Sequence, residues 1–194
     1  MSPVSPDGDL PGDLRTYLQQ SRDALVRALE GLSEYDVRRP LTPTGTNLLG
    51  LVKHVTGVEL AYLVESVGRP APALPWNEDG SVWEGADMWA RAQESRDDLL
   101  DLYREAWALG DATLAEVPLG TAATVPWWPE NRRATSLGHL VVRVVAETAQ
   151  HAGHAEILRE MIDGQAGRDR ADMGDDAYWA EYVGRIQEAA DTHR

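Results

Sequence analysis

The sequence contains no cysteine among its 194 residues. Disulfide bonds, thiolate metal ligands and a protein thiol nucleophile are therefore excluded for this chain. Any metal that it binds must be held by nitrogen and oxygen atoms, which histidine, aspartate and glutamate supply. If the protein performs thiol chemistry, the thiol must come from a separate molecule.

Basic residues are scarce as well. The chain has 18 lysines and arginines against 32 acidic residues, which gives a formal net charge of −14. Because a field of this sign repels polyanions, we expect neither nucleic acid nor an anionic membrane surface as a partner. The sequence also lacks a run of about 18 apolar residues and the basic and apolar segments of a signal peptide, so we expect a cytoplasmic protein.

Apolar residues recur at helical spacing in five segments, and no segment alternates as a strand would. We predict helices over residues 13–32, 44–68, 88–116, 135–162 and 175–190. Residues 1–12 are expected to form a flexible arm, and two long irregular stretches, 69–87 and 117–134, lie between helices, where long loops are often functional. The pattern predicts an all-α fold, a four-helix bundle with an extra short C-terminal helix, in a single domain over residues 13–194.

The predicted helix boundaries depend on capping residues. Thr44 or Thr46 can accept a hydrogen bond from a free backbone N–H at the start of the second helix, and Thr135 or Ser136 can do so for the fourth. We expect the second helix to end near Gly68, because glycine adopts the left-handed conformation that closes many helices.

Three candidate metal ligands lie close together in the predicted fourth helix: Glu147, His151 and His154. Residues three and four apart share one face of an α-helix, so the three side chains project into one sector. The turns before and after carry apolar residues in the same sector, which indicates that it faces the bundle interior. Buried histidine and glutamate side chains without partners cost free energy, so the pattern favours a metal site or, failing that, a buried polar network.

The predicted second helix supplies one further candidate, His54. It follows Leu51 by three positions and precedes Val58 by four, which places it on or beside the apolar face. A single inward histidine is more often a hydrogen-bonded core residue than a metal ligand. Together with the cluster on the fourth helix, however, it predicts an open nitrogen and oxygen site for a divalent metal between two helices.

These features resemble the DinB/YfiT-like superfamily of metalloenzymes, and the stretch Glu147-Thr-Ala-Gln-His151-Ala-Gly-His154 resembles its DUF664 branch. The resemblance covers about residues 13–165. It implies three ligands, commonly three histidines, around zinc or nickel. His54 and His151 match the first and third ligands, and Glu147 replaces the second histidine, as in mycothiol-dependent maleylpyruvate isomerase.

Many members of the superfamily have glutamine at the position of His154. We expect His154 to be a fourth ligand, a hydrogen-bond donor to a ligand, or a substrate contact. The cofactor that the resemblance implies is a divalent metal, zinc or nickel, with mycothiol as a candidate co-substrate.

Characterised members of the superfamily include S-transferases that use bacillithiol, mycothiol or glutathione. We therefore hypothesise a metal-dependent low-molecular-weight-thiol S-transferase acting on a small molecule, with the metal stabilising the thiolate. The Ala-, Arg-, Asp- and Gly-rich, lysine-poor composition is typical of a high-GC bacterial genome and favours mycothiol. The alternatives are a metal-dependent hydrolase that activates water, with Glu59 or Glu156 as base, and a non-catalytic bundle that binds a metal or small ligand. A homodimer is also expected.

Four tryptophans lie in the two irregular stretches: Trp76, Trp83, Trp127 and Trp128. They either close the end of the bundle as core or line the mouth of a pocket for an organic substrate. Arg143, one turn before Glu147, can bind a substrate carboxylate or pair with Glu147. We take Trp127, Trp128 and Arg143 as candidate substrate-binding residues.

Overall fold

The chain folds into a bundle of four long helices with shorter elements in the connections. The computed structural model describes residues 9–164 and 174–194. Its α-helices are α1 (Leu10–Arg27), α2 (Glu34–Arg38), α3 (Leu48–Glu59), α4 (Pro75–Glu78), α5 (Arg96–Glu116), α6 (Leu137–Asp163) and α7 (Asp176–Asp191). The predicted all-α four-helix bundle with an additional C-terminal helix is confirmed.

Shorter helical turns extend or interrupt these elements. They comprise a π-helical turn at Leu60–Val64 and 3₁₀ turns at Glu65–Val67, Ser81–Glu84 and Glu130–Arg132. The first two continue α3 directly, so one helical rod runs from residue 48 to residue 67. π-Helical turns inside longer helices are rare and often occur at functional sites.

The four long helices bury their apolar faces against one another. α1 packs against α5 and α6, and α3 packs against α5 and α6. Two clusters of buried apolar side chains fill the interior, and each draws on all four helical rods of the bundle. Within the described residues, none of the helices has the length and apolarity that a bilayer crossing requires.

The helix ends show which capping predictions hold. Asp9 caps α1, which therefore begins three residues before the predicted start; most of the predicted arm, residues 1–8, lies outside the described residues. Asn47, not Thr44 or Thr46, caps α3, since its side-chain oxygen accepts a hydrogen bond from the Gly50 N–H at 2.8 Å. An asparagine side chain serves this purpose as well as a hydroxyl does.

Two predicted boundaries are confirmed. Ser136 caps α6 through a hydrogen bond from the backbone N–H of His139. Gly68 ends the helical rod that begins with α3, and its φ of 76° lies in the left-handed region. A residue with a side chain would be strained there, which explains why the rod stops at this glycine.

The expectation that the chain contains no strand is wrong. Two three-residue strands, β1 (Ala122–Thr124) and β2 (Ala134–Ser136), pair antiparallel with Ala123 opposite Thr135. Strands this short do not show the alternation that identifies a strand in a sequence. Their pairing closes the loop between them and places Trp127 and Trp128 next to the start of α6.

The start of α5 also differs from the prediction, because residues 88–95 remain irregular and Ser95 caps the helix. This segment receives the ammonium group of Lys53, which is fully buried. The Lys53 Nζ donates to the Trp89 carbonyl at 3.1 Å and to both carboxylate oxygens of Glu94 at 2.8 Å. It also lies 4.5 Å from the centre of the Trp76 ring. In its irregular conformation the segment supplies partners for this buried charge.

A second buried cation connects three helices. Arg22 on α1 donates to both carboxylate oxygens of Glu59 at the end of α3, at 3.0 and 2.6 Å, and both side chains are fully buried. Arg22 also donates to Asp111 on α5 at 2.9 Å. The network joins α1, α3 and α5 where the π-helical turn begins.

We predict that Arg22→Met lowers the free energy of unfolding by about 3–5 kcal/mol, because it leaves the Glu59 carboxylate buried without a partner. The measurement is urea denaturation of both proteins at neutral pH. Arg104→Met is the matched control, because Arg104 pairs with Asp101 at the surface. This variant should lose about 1 kcal/mol or less of the free energy of unfolding. Equal losses in both variants would contradict the prediction, whereas Arg22→Met combined with Glu59→Leu should recover most of the stability.

Candidate metal centre and cavity

Three of the four predicted ligands come together where α3 packs against α6. The Nε2 atom of His54 lies 3.7 Å from Oε1 of Glu147, and the Nε2 atom of His151 lies 3.5 Å from the same oxygen. One potential ligand atom from each residue lies within 4.8 Å of the other two. Two imidazole nitrogens and one carboxylate oxygen in this arrangement form a donor set that suits a divalent transition metal.

Asp87 holds the outer side of His54. Its Oδ2 lies 2.6 Å from Nδ1 of His54, and both side chains are mostly buried. A carboxylate only accepts hydrogen bonds, so Nδ1 of a neutral His54 carries the proton and Nε2 keeps its lone pair towards Glu147. The sequence analysis missed Asp87, because a single aspartate at the end of an irregular stretch has no periodicity that would distinguish it.

His151 has the protonation state that a metal ligand needs. Burial, reinforced by the positive charge of His54 when protonated, lowers the pKa of His151 below its usual 6.5. The neutral imidazole with a free lone pair is therefore the form present at neutral pH. Its Nδ1 atom is buried and has no hydrogen-bond partner within the described residues. With Nε2 turned towards Glu147, this Nδ1 atom carries the proton of the neutral ring.

The structure does not bring His154 into this group. Its side chain is exposed, and its ring meets that of His151 edge to face with the ring centres 5.4 Å apart. The spacing of three residues from His151 to His154 turns the second ring away from α3, since residues three apart on a helix differ by about 60° in direction. A role for His154 as a ligand stays a prediction.

A cavity of about 370 Å³ opens beside His54. Apolar and aromatic side chains form most of its wall: Gly57, Val58, Ala61, Tyr62, Val82 and Trp127. The first four follow His54 along one face of the helical rod, and the small Gly57 and Ala61 leave the space next to it open. Cavities with apolar walls and few polar groups are typical binding sites for small organic molecules.

The four tryptophans of the irregular stretches divide between the core and the surroundings of the cavity. Trp76 is only 2% exposed and belongs to the core, although its edge also lines the cavity, while Trp83 is 78% exposed at the rim. Trp127 and Trp128 both contact Tyr62, with ring centres 5.5 and 5.9 Å away. The structure thus places the Trp127–Trp128 loop at the cavity, around a tyrosine that the sequence analysis did not identify.

Arg143 joins this aromatic group. Its Cζ lies 5.1 Å from the centre of the Tyr62 ring and 5.6 Å from that of Trp128. No ion pair connects Arg143 to a carboxylate of the described residues. Pairing with Glu147, which the sequence allowed, is therefore not formed, and the guanidinium group remains available for another anion.

We predict that Asp87→Ala weakens the binding of zinc or nickel by about 10–100-fold, because His54 loses the carboxylate that fixes its ring. Competition against a chromogenic chelator measures this affinity. Glu84→Ala removes the same charge from an exposed position in the same segment and should leave the affinity unchanged. Equal affinities for Asp87→Ala and the wild type would contradict the role assigned to Asp87.

We also predict a pH-dependent stability in metal-free protein. Because the pKa of His151 is lowered on folding, the unfolded chain binds more protons at mildly acidic pH. The contribution of His151 to the free energy of unfolding is fully present above the unfolded-state pKa of 6.5. It is lost as the pH falls through the lower pKa of the folded state. Between about pH 7.5 and about pH 5.5, the free energy of unfolding should fall less in His151→Asn than in the wild type. His193→Asn, at the exposed C-terminus, is the control and should behave as the wild type does.

Comparison with known proteins places the chain in a family. Residues 13–164 match the family described as Mycothiol-S-transferase. No curated protein matches the chain. A crystal structure described as the conserved protein of locus from Enterococcus faecalis is similar in fold, with a TM-score of 0.59 and 14% identity over 78% of this chain and 96% of that chain.

The family match covers most of the chain and confirms the resemblance to the DinB/YfiT-like superfamily, while the DUF664 branch stays a prediction. The similar crystal structure supports the helical fold independently. This chain belongs to the mycothiol S-transferase family.

Proposed function

We propose that the protein is a divalent-metal-dependent S-transferase that joins a low-molecular-weight thiol, with mycothiol the first candidate, to an electrophilic small molecule. The observation that carries the proposal is the convergence of His54, Glu147 and His151 beside a largely apolar cavity. The family of the chain supports the choice of thiol. The absence of cysteine from the sequence agrees with a thiol that comes from outside.

The three converging side chains would hold the metal, zinc or nickel being the first to test. A metal bound by three protein ligands keeps open positions and supplies the positive charge that favours a thiolate at neutral pH. The chain's own residues prepare this site. Asp87 orients the His54 ring, and burial favours the neutral form of His151, whose lone pair is then available without prior loss of a proton.

The electrophilic substrate would occupy the cavity beside His54. The Trp127 ring lines the cavity and would supply apolar surface, and Trp128 packs against Tyr62 beside it. Arg143, which has no carboxylate partner among the described residues, contacts Tyr62 and would attract an anionic group of the substrate. These assignments make the Trp127–Trp128 loop and the first turns of α6 the substrate side of the site.

The hydrolase alternative receives less support. Glu59, one of its two candidate bases, is fully buried and binds Arg22 through both carboxylate oxygens, so it cannot receive a proton from water in the cavity. Glu156 does not line the cavity. A homodimer, a cytoplasmic location and the lack of a nucleic-acid partner stay predictions from the sequence.

The test begins with the metal content of protein purified without chelator or nickel resin. We expect near-stoichiometric metal in the wild type and in His154→Ala, and its loss from the double variant His54→Ala/His151→Ala. The wild type should accelerate the reaction of mycothiol with monobromobimane, and the double variant should give the uncatalysed rate, because it lacks the metal.

Cysteine and glutathione in place of mycothiol test the choice of thiol, and His193→Ala is the control for a histidine outside the site. A wild type that binds neither zinc nor nickel after reconstitution would contradict the metal-dependent function. A double variant that reacts as fast as the wild type would do so as well.

A further inference from the structure

The hydroxyl group of Tyr62 has an unusual set of partners. Tyr62 lies in the π-helical turn that continues α3, and only 7% of its surface is exposed. Its oxygen accepts hydrogen bonds from two indole groups, from Trp127 Nε1 at 3.3 Å and from Trp128 Nε1 at 3.1 Å. An indole N–H can only donate, so the direction of both bonds is certain.

These two bonds determine what the hydroxyl group can still do. A tyrosine oxygen has two lone pairs and one proton, and the two indoles occupy both lone pairs. The proton has no acceptor among the described residues. Because Tyr62 lines the cavity, the remaining direction for a hydrogen bond is towards a molecule bound there.

The polar groups around Tyr62 are hydrogen-bond donors and a cation. Two N–H dipoles point at the oxygen, and the Arg143 guanidinium lies 5.1 Å from the ring centre. Donors that are fixed before a reaction begins stabilise charge that develops during it, and do so more strongly in a site with little water. The O–H of Tyr62 is thus the part of the group left to interact with a molecule in the cavity.

The position of Tyr62 relates it to the candidate metal centre. Arg143 and Glu147 lie one turn apart on α6, about 6 Å along the helix axis. Arg143 contacts Tyr62, and Glu147 lies beside His54. Since His54 and Tyr62 line the same cavity, a small molecule in it can meet both.

We propose that Tyr62 donates its proton to an oxygen atom of the electrophilic substrate, and that the substrates are therefore epoxides or α,β-unsaturated carbonyl compounds. This inference rests on the proposed thiol transfer. In both classes the attack of sulfur on carbon moves an electron pair onto oxygen, where a proton donor lowers the barrier. Displacement of a halide gives a stable anion and needs no such donor.

The bonds and protons balance for an epoxide. The thiolate sulfur forms a bond to one ring carbon, the bond from that carbon to oxygen breaks, and its electron pair remains on oxygen. This oxygen takes the proton of Tyr62, and the Tyr62 oxygen then regains a proton from water. That proton replaces the one released when the thiol became a thiolate, so the net reaction adds the thiol across the ring.

The first test compares two reactions of the metal-loaded protein with mycothiol. We expect Tyr62→Phe to lower kcat for styrene oxide by about 100-fold or more, the usual effect of losing a general acid, with little change in KM. The rate with monobromobimane, which loses bromide and needs no proton donor, should fall by a much smaller factor, from the loss of the two indole hydrogen bonds alone. Tyr35→Phe is the control, since that side chain is 73% exposed. Equal losses in both reactions would show a structural role and overturn the proposal.

The second test does not depend on catalysis. In the His54→Ala/His151→Ala background, which removes the competing metal, 4-nitrophenolate at alkaline pH imitates the developing oxyanion, and tryptophan fluorescence reports its binding. We expect Tyr62→Phe to weaken this binding about tenfold. The binding of neutral 4-nitroanisole should not change. Unchanged binding of both probes would overturn the role of Tyr62.

The two tests separate the two proposals. A wild type that transfers no thiol, together with the loss of 4-nitrophenolate binding in Tyr62→Phe, would contradict the proposed transferase and leave Tyr62 as a proton donor for another reaction. In the opposite case the wild type transfers thiols, Tyr62→Phe loses equal activity with both electrophiles, and its binding of the two probes is unchanged. This outcome would support the proposed transferase and overturn the role of Tyr62.

Discussion

The buried ion pair between Arg22 and Glu59 anchors the helical rod that carries His54 and Tyr62 of the cavity wall. Two opposite charges without solvent around them need hydrogen-bond partners, and here both Glu59 oxygens, Asp111 and Gln19 accept from the guanidinium group. Glu59 is the last residue of α3, and the π-helical turn with Tyr62 follows directly. The direction in which Tyr62 enters the cavity therefore depends on the position of a glutamate that never contacts the cavity itself.

The charges around the candidate metal centre match a divalent cation. Glu147 faces both imidazoles, and Asp87 binds the outer nitrogen of His54, so two carboxyl groups lie at the site. A bound dication would have both of them nearby in a partly buried place, where uncompensated charge is expensive. A glutamate in place of the histidine common in the superfamily thus changes the charge of the site as well as a donor atom.

Helical periodicity was sufficient to identify the candidate site residues that lie on regular helices. Glu147 and His151 were recognisable because they are four residues apart, and the period of a helix fixes which side chains share a direction. His54 was recognisable from its place on an apolar helix face. Asp87 and Tyr62 were not recognisable, since one lies in an irregular stretch and the other resembles any buried aromatic residue of an apolar helix. Their roles come from contacts between segments that are distant in the sequence, which periodicity does not report.

Lys53 is the only lysine of the chain, and its ammonium group is enclosed by Glu94, the Trp89 carbonyl and the Trp76 ring. With no cysteine and no accessible lysine, the side chains of this protein present neither of the two nucleophiles that soft electrophiles modify most readily, a thiolate and a free amine. A catalyst whose substrates are alkylating agents is exposed to them at every turnover. If the chain transfers a thiol to such reagents as proposed, the burial of Lys53 would leave that thiol as a better target for the reagent than the lysine side chain.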